Sequence, residues 1–162
     1  MNQGQFDLAV TEGERAVNIS PNCSIGDTFL AIALKAVGRP AEALRAIEKA
    51  MRVDPAGSAF HALVIANSYM LMGRYEEAIP SLQRAVDAPN ALWFHLALAI
   101  AYMELGRGPE ARAQASEVIR IDPSYTLPSL EKAPYSAVPF LAGKDLVLQR
   151  RFDGDLRKAG LK

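Results

Sequence analysis

Few side chains in this sequence stand where chemistry could be done. His61 and His95 are its two histidines, and both fall near the start of a helical pattern. Two imidazoles with no cysteine or carboxylate at ligand spacing make a poor metal site, because zinc takes three or four protein donors. Gly106-Arg107-Gly108 has the composition of a phosphate loop, but such a loop follows a strand and this one lies between helical stretches. The single cysteine, Cys23, sits in a turn after Pro21 with no companion to lower its pKa. Glu76 and Glu77 fall in the first turn of a helix, where negative charge suits the helix dipole. All of these read as structural residues, and neither catalysis, a metal nor a cofactor is expected.

Arg39, Arg74 and Arg107 recur at one place in a repeating pattern and should form a spaced row along an edge. A row of cations could meet phosphates. Each arginine is followed three residues on by Glu42, Glu77 or Glu110, and 18 basic residues balance 18 acidic ones, so no basic field would gather nucleic acid. The longest apolar stretch, residues 91–103, is interrupted by His95 and has helical rather than membrane-spanning length. The N-terminus lacks a basic start followed by an apolar run, and one cysteine excludes an internal disulfide. A reduced, cytoplasmic setting is expected, with no membrane and no nucleic acid as partner.

The elements that would position these residues are written as a repeat. Pro21, Pro55, Pro89 and Pro123 stand at a constant 34-residue spacing. Each closes a segment with the same marks in the same order. A glycine comes first (Gly4, Gly38, Gly73, Gly106), and an alanine follows five residues later (Ala9, Ala43, Ala78, Ala111). A small or β-branched residue comes seven after that (Ala16, Ala50, Ala85, Val118). A period of this length marks a solenoid, whose units bury their apolar faces only against one another. Residues 24–55 show the unit most clearly. Ile25, Phe29, Ile32 and Leu34 recur at helical spacing, Gly38 stops that helix, and Pro40 opens a second one carrying Ala43, Ile47 and Ala50 on one stripe. The spacing predicts two antiparallel helices joined by a short turn. Ala31 and Ala66 in first helices should face Ala43 and Ala78 in second helices, where backbones approach closely.

Leu30-Ala31-x-x-Leu34 followed by Ala43-x-x-x-Ile47-x-x-Ala50 and Pro55 resembles the tetratricopeptide repeat (TPR). So do Ile65-Ala66-x-x-Tyr69 through Ala78, Leu82, Ala85 and Pro89, and Leu98-Ala99-x-x-Tyr102 through Ala111, Ala115, Val118 and Pro123. The departures are mild: Asp27, Ala62 and His95 replace the family's early tryptophan, and Ala31, Ala66 and Ala99 its glycine. Ser58 adds a residue before the third repeat, and the turn after Ala85 is one residue short. The resemblance runs from Gln5 to about Tyr125 and implies an all-α, right-handed superhelix of antiparallel helix pairs. Residues 1–125 would be the array, a half repeat plus three repeats. Residues 126–162 would be a proline-broken stretch and a C-terminal capping helix.

The same resemblance implies that first helices line a concave face where partners bind. Projecting the helical spacing puts Ile25, Ile32 and Lys35 on that face, then Phe60, Leu63, Asn67 and Met70, and then Trp93, Leu96, Ile100 and Met103. Family members that grip a terminal carboxylate use lysine, arginine and asparagine there, and Lys35 and Asn67 alone remain. So apolar a groove suits the apolar face of a partner helix or peptide. The expected function is therefore a protein-interaction scaffold.

Both ends depart from the period. With Gly4 read as the turn glycine, residues 5–19 form a second helix with no first helix before it. Phe6, Leu8, Val10 and Val17 then lack cover, which favours a portion of a longer protein, with cover from another chain as the alternative. Phe6, Leu8 and Val10 could drive a weak homodimer. After Pro123, the prolines at 128, 134 and 139 break the chain, and a helical pattern returns over 144–158 with Leu146, Leu148, Phe152 and Leu156 as anchors. It should cap the last repeat, with residues 134–152 and their Tyr135, Val138, Phe140 and Leu141 turned towards the groove near Trp93. The closing residues Phe152 to Leu161 resemble the C-terminal end of TPR-tailed bacterial class III adenylate cyclases. That resemblance implies an alternative setting, the regulatory end of such an enzyme without its catalytic domain.

Overall fold

The computed structural model describes residues 3–54, 59–88, 91–127 and 146–162. Among these residues the regular structure is entirely α-helical. Helix α1 covers Gln3–Ile19, and three hairpins follow: α2 (Ser24–Ala36) with α3 (Pro40–Val53), α4 (Ala59–Leu71) with α5 (Tyr75–Gln83), and α6 (Ala91–Glu104) with α7 (Gly108–Ile121). The last described helix is α8, Leu146–Lys158. Each first helix packs on its own second helix and on the second helix of the preceding hairpin, so the hairpins stack in a row.

The turns repeat atom for atom. Gly38, Gly73 and Gly106 take φ of 82°, 72° and 72°, the left-handed region where a side chain is strained. At the first, Arg39 N–H donates to Leu34 O at 2.9 Å and Gly38 N–H to Lys35 O at 3.1 Å. The same pair recurs from Arg74 and Gly73 to Tyr69 and Met70, and from Arg107 and Gly106 to Tyr102 and Met103. This paired bonding satisfies carbonyls that a helix end leaves open. An arginine cannot accept a bond as an N-cap, and these three instead reach forward to the glutamate three residues on. Arg39 meets Glu42 at 2.6 Å and Arg107 meets Glu110 at 2.9 Å, with Arg74 and Glu77 paired likewise. The carboxylates also sit at the positive end of the helix dipole. Arg74 and Arg107 further lie over the rings of Tyr69 and Tyr102, at 4.9 and 4.6 Å. The arginine row is thus a row of neutralised turns.

Packing follows the small residues. Ala31, Ala66 and Ala99 of the first helices and Ala43, Ala78 and Ala111 of the second are all fully buried, as backbones at close range require. Helix α5, Tyr75–Gln83, is the short one of the set and carries Pro80 inside it, which removes one bond of its ladder. Ala85 is nevertheless buried, on a turn whose N–H bonds back to Leu82 O at 3.0 Å.

Two expectations about the N-terminus are corrected. Gly4 is not a turn glycine: it lies inside α1, whose helical backbone runs from Gln3 to Ile19. Val10 points into the core formed by α2 and α3, because the inner face of α1 carries Val10, Gly13 and Val17 while Leu8 lies on the outer one. The side chain of Phe6 and the whole of residues 128–145, with Tyr135, Val138, Phe140 and Leu141, lie outside the described residues.

Candidate partner-binding groove

Helices α4 and α6 have no polar face. Helix α4 carries no charged residue and α6 only Glu104, whereas α3 and α7 alternate a buried alanine stripe with exposed charges. A helix that is apolar all round is covered all round. The residues expected to line a groove all lie on first helices, α2, α4 and α6.

The structure places these residues in two groups. Ile32 and Phe60 pack, half-buried, against the core of α1 to α3. Leu63, Met70, Leu96 and Ile100 are buried in the core of α4 to α8, with Trp93 and Met103 half-buried against it. Lys35 and Asn67 are buried as well. Desolvation pulls the Lys35 ammonium down to about 7, far below an ordinary lysine, so its charge is held weakly at neutral pH. Ile25, by contrast, is exposed. No described group of His, Cys, Asp and Glu could hold a metal ion. His61 Nε2 bonds Thr28 Oγ1 at 3.0 Å and His95 Nδ1 bonds Gln114 Oε1 at 2.7 Å, each tying neighbouring helices together.

At the far end, α8 lies on α6. Phe152, Leu156, Ala159 and Leu161 are buried in the same core as Leu96 and Ile100. Gly160, at φ 109°, ends the helix with Leu161 N–H bonded to Leu156 O at 3.1 Å, and Leu127 N–H donates to Lys162 O at 2.7 Å. A polar cluster seals this contact that the sequence reading did not single out. The side chain of Glu104 is buried and takes the Arg151 guanidinium of α8. Asp155, also from α8, is pushed up to about 6 by burial, then by its hydrogen bond with Glu104 and the repulsion between the two carboxylates. Lys158, at 3.3 Å, draws it back. Burial and Glu104 likewise raise the Tyr75 phenol, and burial with nearby Asp153 lifts Tyr125 to about 12. The usable signal was the alternation of acid, base and apolar residues within 150–158, legible only once Glu104 is known to lie beneath it.

Among the described residues no helix is long and apolar enough to cross a membrane. Two family models of the tetratricopeptide repeat match the chain, over residues 26–49 and 69–127. No curated protein sequence matches it. Solved structures similar to it include MamA, at 21% identity and a TM-score of 0.67, spanning 97% of this chain and 88% of that one. A thermophilic TPR protein of Thermus thermophilus has 27% identity and a TM-score of 0.62, over 95% and 74%. YrrB, described as a TPR protein with an unusual peptide-binding site, has 20% identity and a TM-score of 0.63, over 96% and 77%.

Proposed function

The chain is a tetratricopeptide-repeat protein, and from that premise we propose that it is a scaffold seating a partner's helical segment on the faces of its first helices. The observation that carries this reading is the apolar character of α4 and α6 together with Ile32, Phe60 and Trp93, apolar side chains of successive first helices that stay half-buried. Helix α8 provides a precedent within the chain, since it lays Phe152 and Leu156 on α6. A partner helix would present apolar residues at i, i+3 or i+4 and i+7 to Ile32, Phe60 and Trp93, which remain half-buried. The peptide-binding site of YrrB supports the reading by analogy of fold.

The alternative setting is the regulatory C-terminal region of a bacterial class III adenylate cyclase. It draws on the resemblance of Phe152 to Leu161, residues whose pattern here also serves to dock α8. The same scaffold chemistry would apply in that setting.

A photo-crosslinking amino acid at position 60, compared with one at the exposed position 112 on α7, tests the groove. Irradiation in cells should yield discrete protein adducts from position 60 and none of the same mass from 112. Equal adducts from both positions, or none from 60, would overturn the assignment.

A further inference from the structure

Comparison of equivalent positions along the repeat exposes a seat that no described residue fills. Phe29 of α2 corresponds to Val64 of α4 and Ala97 of α6, which are 1% and 0% exposed, while Phe29 is 65% exposed. Ala9 and Ala16 of α1 are exposed, yet Ala43 and Ala50, Ala78 and Ala85, and Ala111 and Val118 are buried at the corresponding places. In each complete repeat the cover comes from a first helix lying on the alanines of its own second helix and on the next first helix. A helix lying across Ala9, Ala16 and Phe29 would occupy the same position. Leu8, at 59% exposure, borders it.

We infer that this seat is filled by α1 of a second copy of the chain, in a two-fold dimer. Three features favour that occupant. The opposite end of the array is closed by α8 on α6, so a head-to-tail stack of copies would find no open repeat to join, whereas a two-fold contact uses one patch twice and closes. Small residues on the outer face of α1 let two copies of that helix approach closely. The charges on this face are balanced, with Arg15 and Glu12 paired at 4.0 Å, while Asp7 and Glu14 line a separate cavity of about 310 Å³ with Arg39. A face without net charge can meet itself without a repulsive penalty. The area is small against the roughly 1,200–2,000 Å² of a stable interface, so the dimer is weak. This contact is independent of the groove.

Sedimentation equilibrium of the full chain from about 10 μM to about 1 mM is the test. The weight-average mass should climb towards twice the monomer and level off there. Phe29→Ser and Ala16→Arg should each weaken association at least ~10-fold, and Ile119→Ser, on the exposed side of α7, should leave it unchanged. A strict monomer at the highest concentration would overturn the inference. So would growth beyond the dimer without a plateau, or association that Ile119→Ser removes and Phe29→Ser spares.

Discussion

The two ends of the array are built from the same hairpin and end in opposite conditions. At the C-terminal end, α6 has Leu96 and Ile100 fully buried beneath a helix that belongs to no repeat. At the N-terminal end, α1 and α2 leave Leu8, Ile25 and Phe29 facing solvent. The difference shows where a solenoid's stability resides. A hairpin buries its inner seam on its own, but its outer faces are buried only by whatever stands next to it. At one end α8 stands there, and its seal is partly ionic, with Glu104, Arg151, Asp155 and Lys158 around the rim of an apolar contact. At the other end a weak contact between copies is the inferred cover.

Truncation in the apolar contact should give the largest contrast. Leu156→Ala removes a fully buried side chain and should cost about 3 kcal/mol in chemical denaturation. Phe29→Ala, measured on dilute monomer, should stay within about 0.5 kcal/mol. Equal losses would erase the distinction between the ends. Overpacking comes next. Ala111→Leu places a larger side chain in a closed seam and should cost about 1–3 kcal/mol, whereas Ala16→Leu on the open face should be tolerated. Thermal melts of the two variants side by side would sharpen the comparison.

The ionic rim gives the smallest effect, and its sign follows from Asp155. Its carboxyl titrates at about 6 in the fold against 3.8 ordinarily, so the folded protein holds that proton more tightly than the unfolded chain. Stability from this group is therefore greatest at acid pH and falls as pH rises from about 4 to about 6, then levels. The groups facing it are Glu104 of α6, Tyr75 of α5, and Arg151 and Lys158 of α8. The two cations and partial access of water reduce the change to roughly 1 kcal/mol. Denaturation midpoints between pH 4 and 7 should show the decline, and Asp155→Asn should flatten it.

Much of the fold was legible in the sequence because its marks are local. A glycine at positive φ, a proline in a first turn and alanines seven residues apart each report a constraint acting within one hairpin, and Gly38, Pro40, Ala43 and Ala50 all take the expected roles. What escaped depends on neighbours distant in the chain. Gly4 carries the same spacing as Gly38 but lies within α1, and spacing alone does not tell a turn glycine from a helical one. Read from the sequence, Val10 groups with Leu8 as lacking cover, yet it shares the inner face of α1 with Gly13 and Val17 and is buried. The acidic residues of α8 look like a solvated face until Glu104 and Tyr75 are placed beneath them. Periodicity says nothing about cover, and Leu63, Leu96 and Ile100 are buried where an open lining was expected.

Amide hydrogen exchange, resolved by residue on dilute protein, tests most directly the claim that burial in this array is set by what stands at each end. The slowest amides should lie in α6, between α7, α5 and α8, with protection declining through α4 and α2 to a minimum in α1. Protection in α1 equal to that in α6 under monomeric conditions would contradict the account, because it would mean that the N-terminal face is already covered.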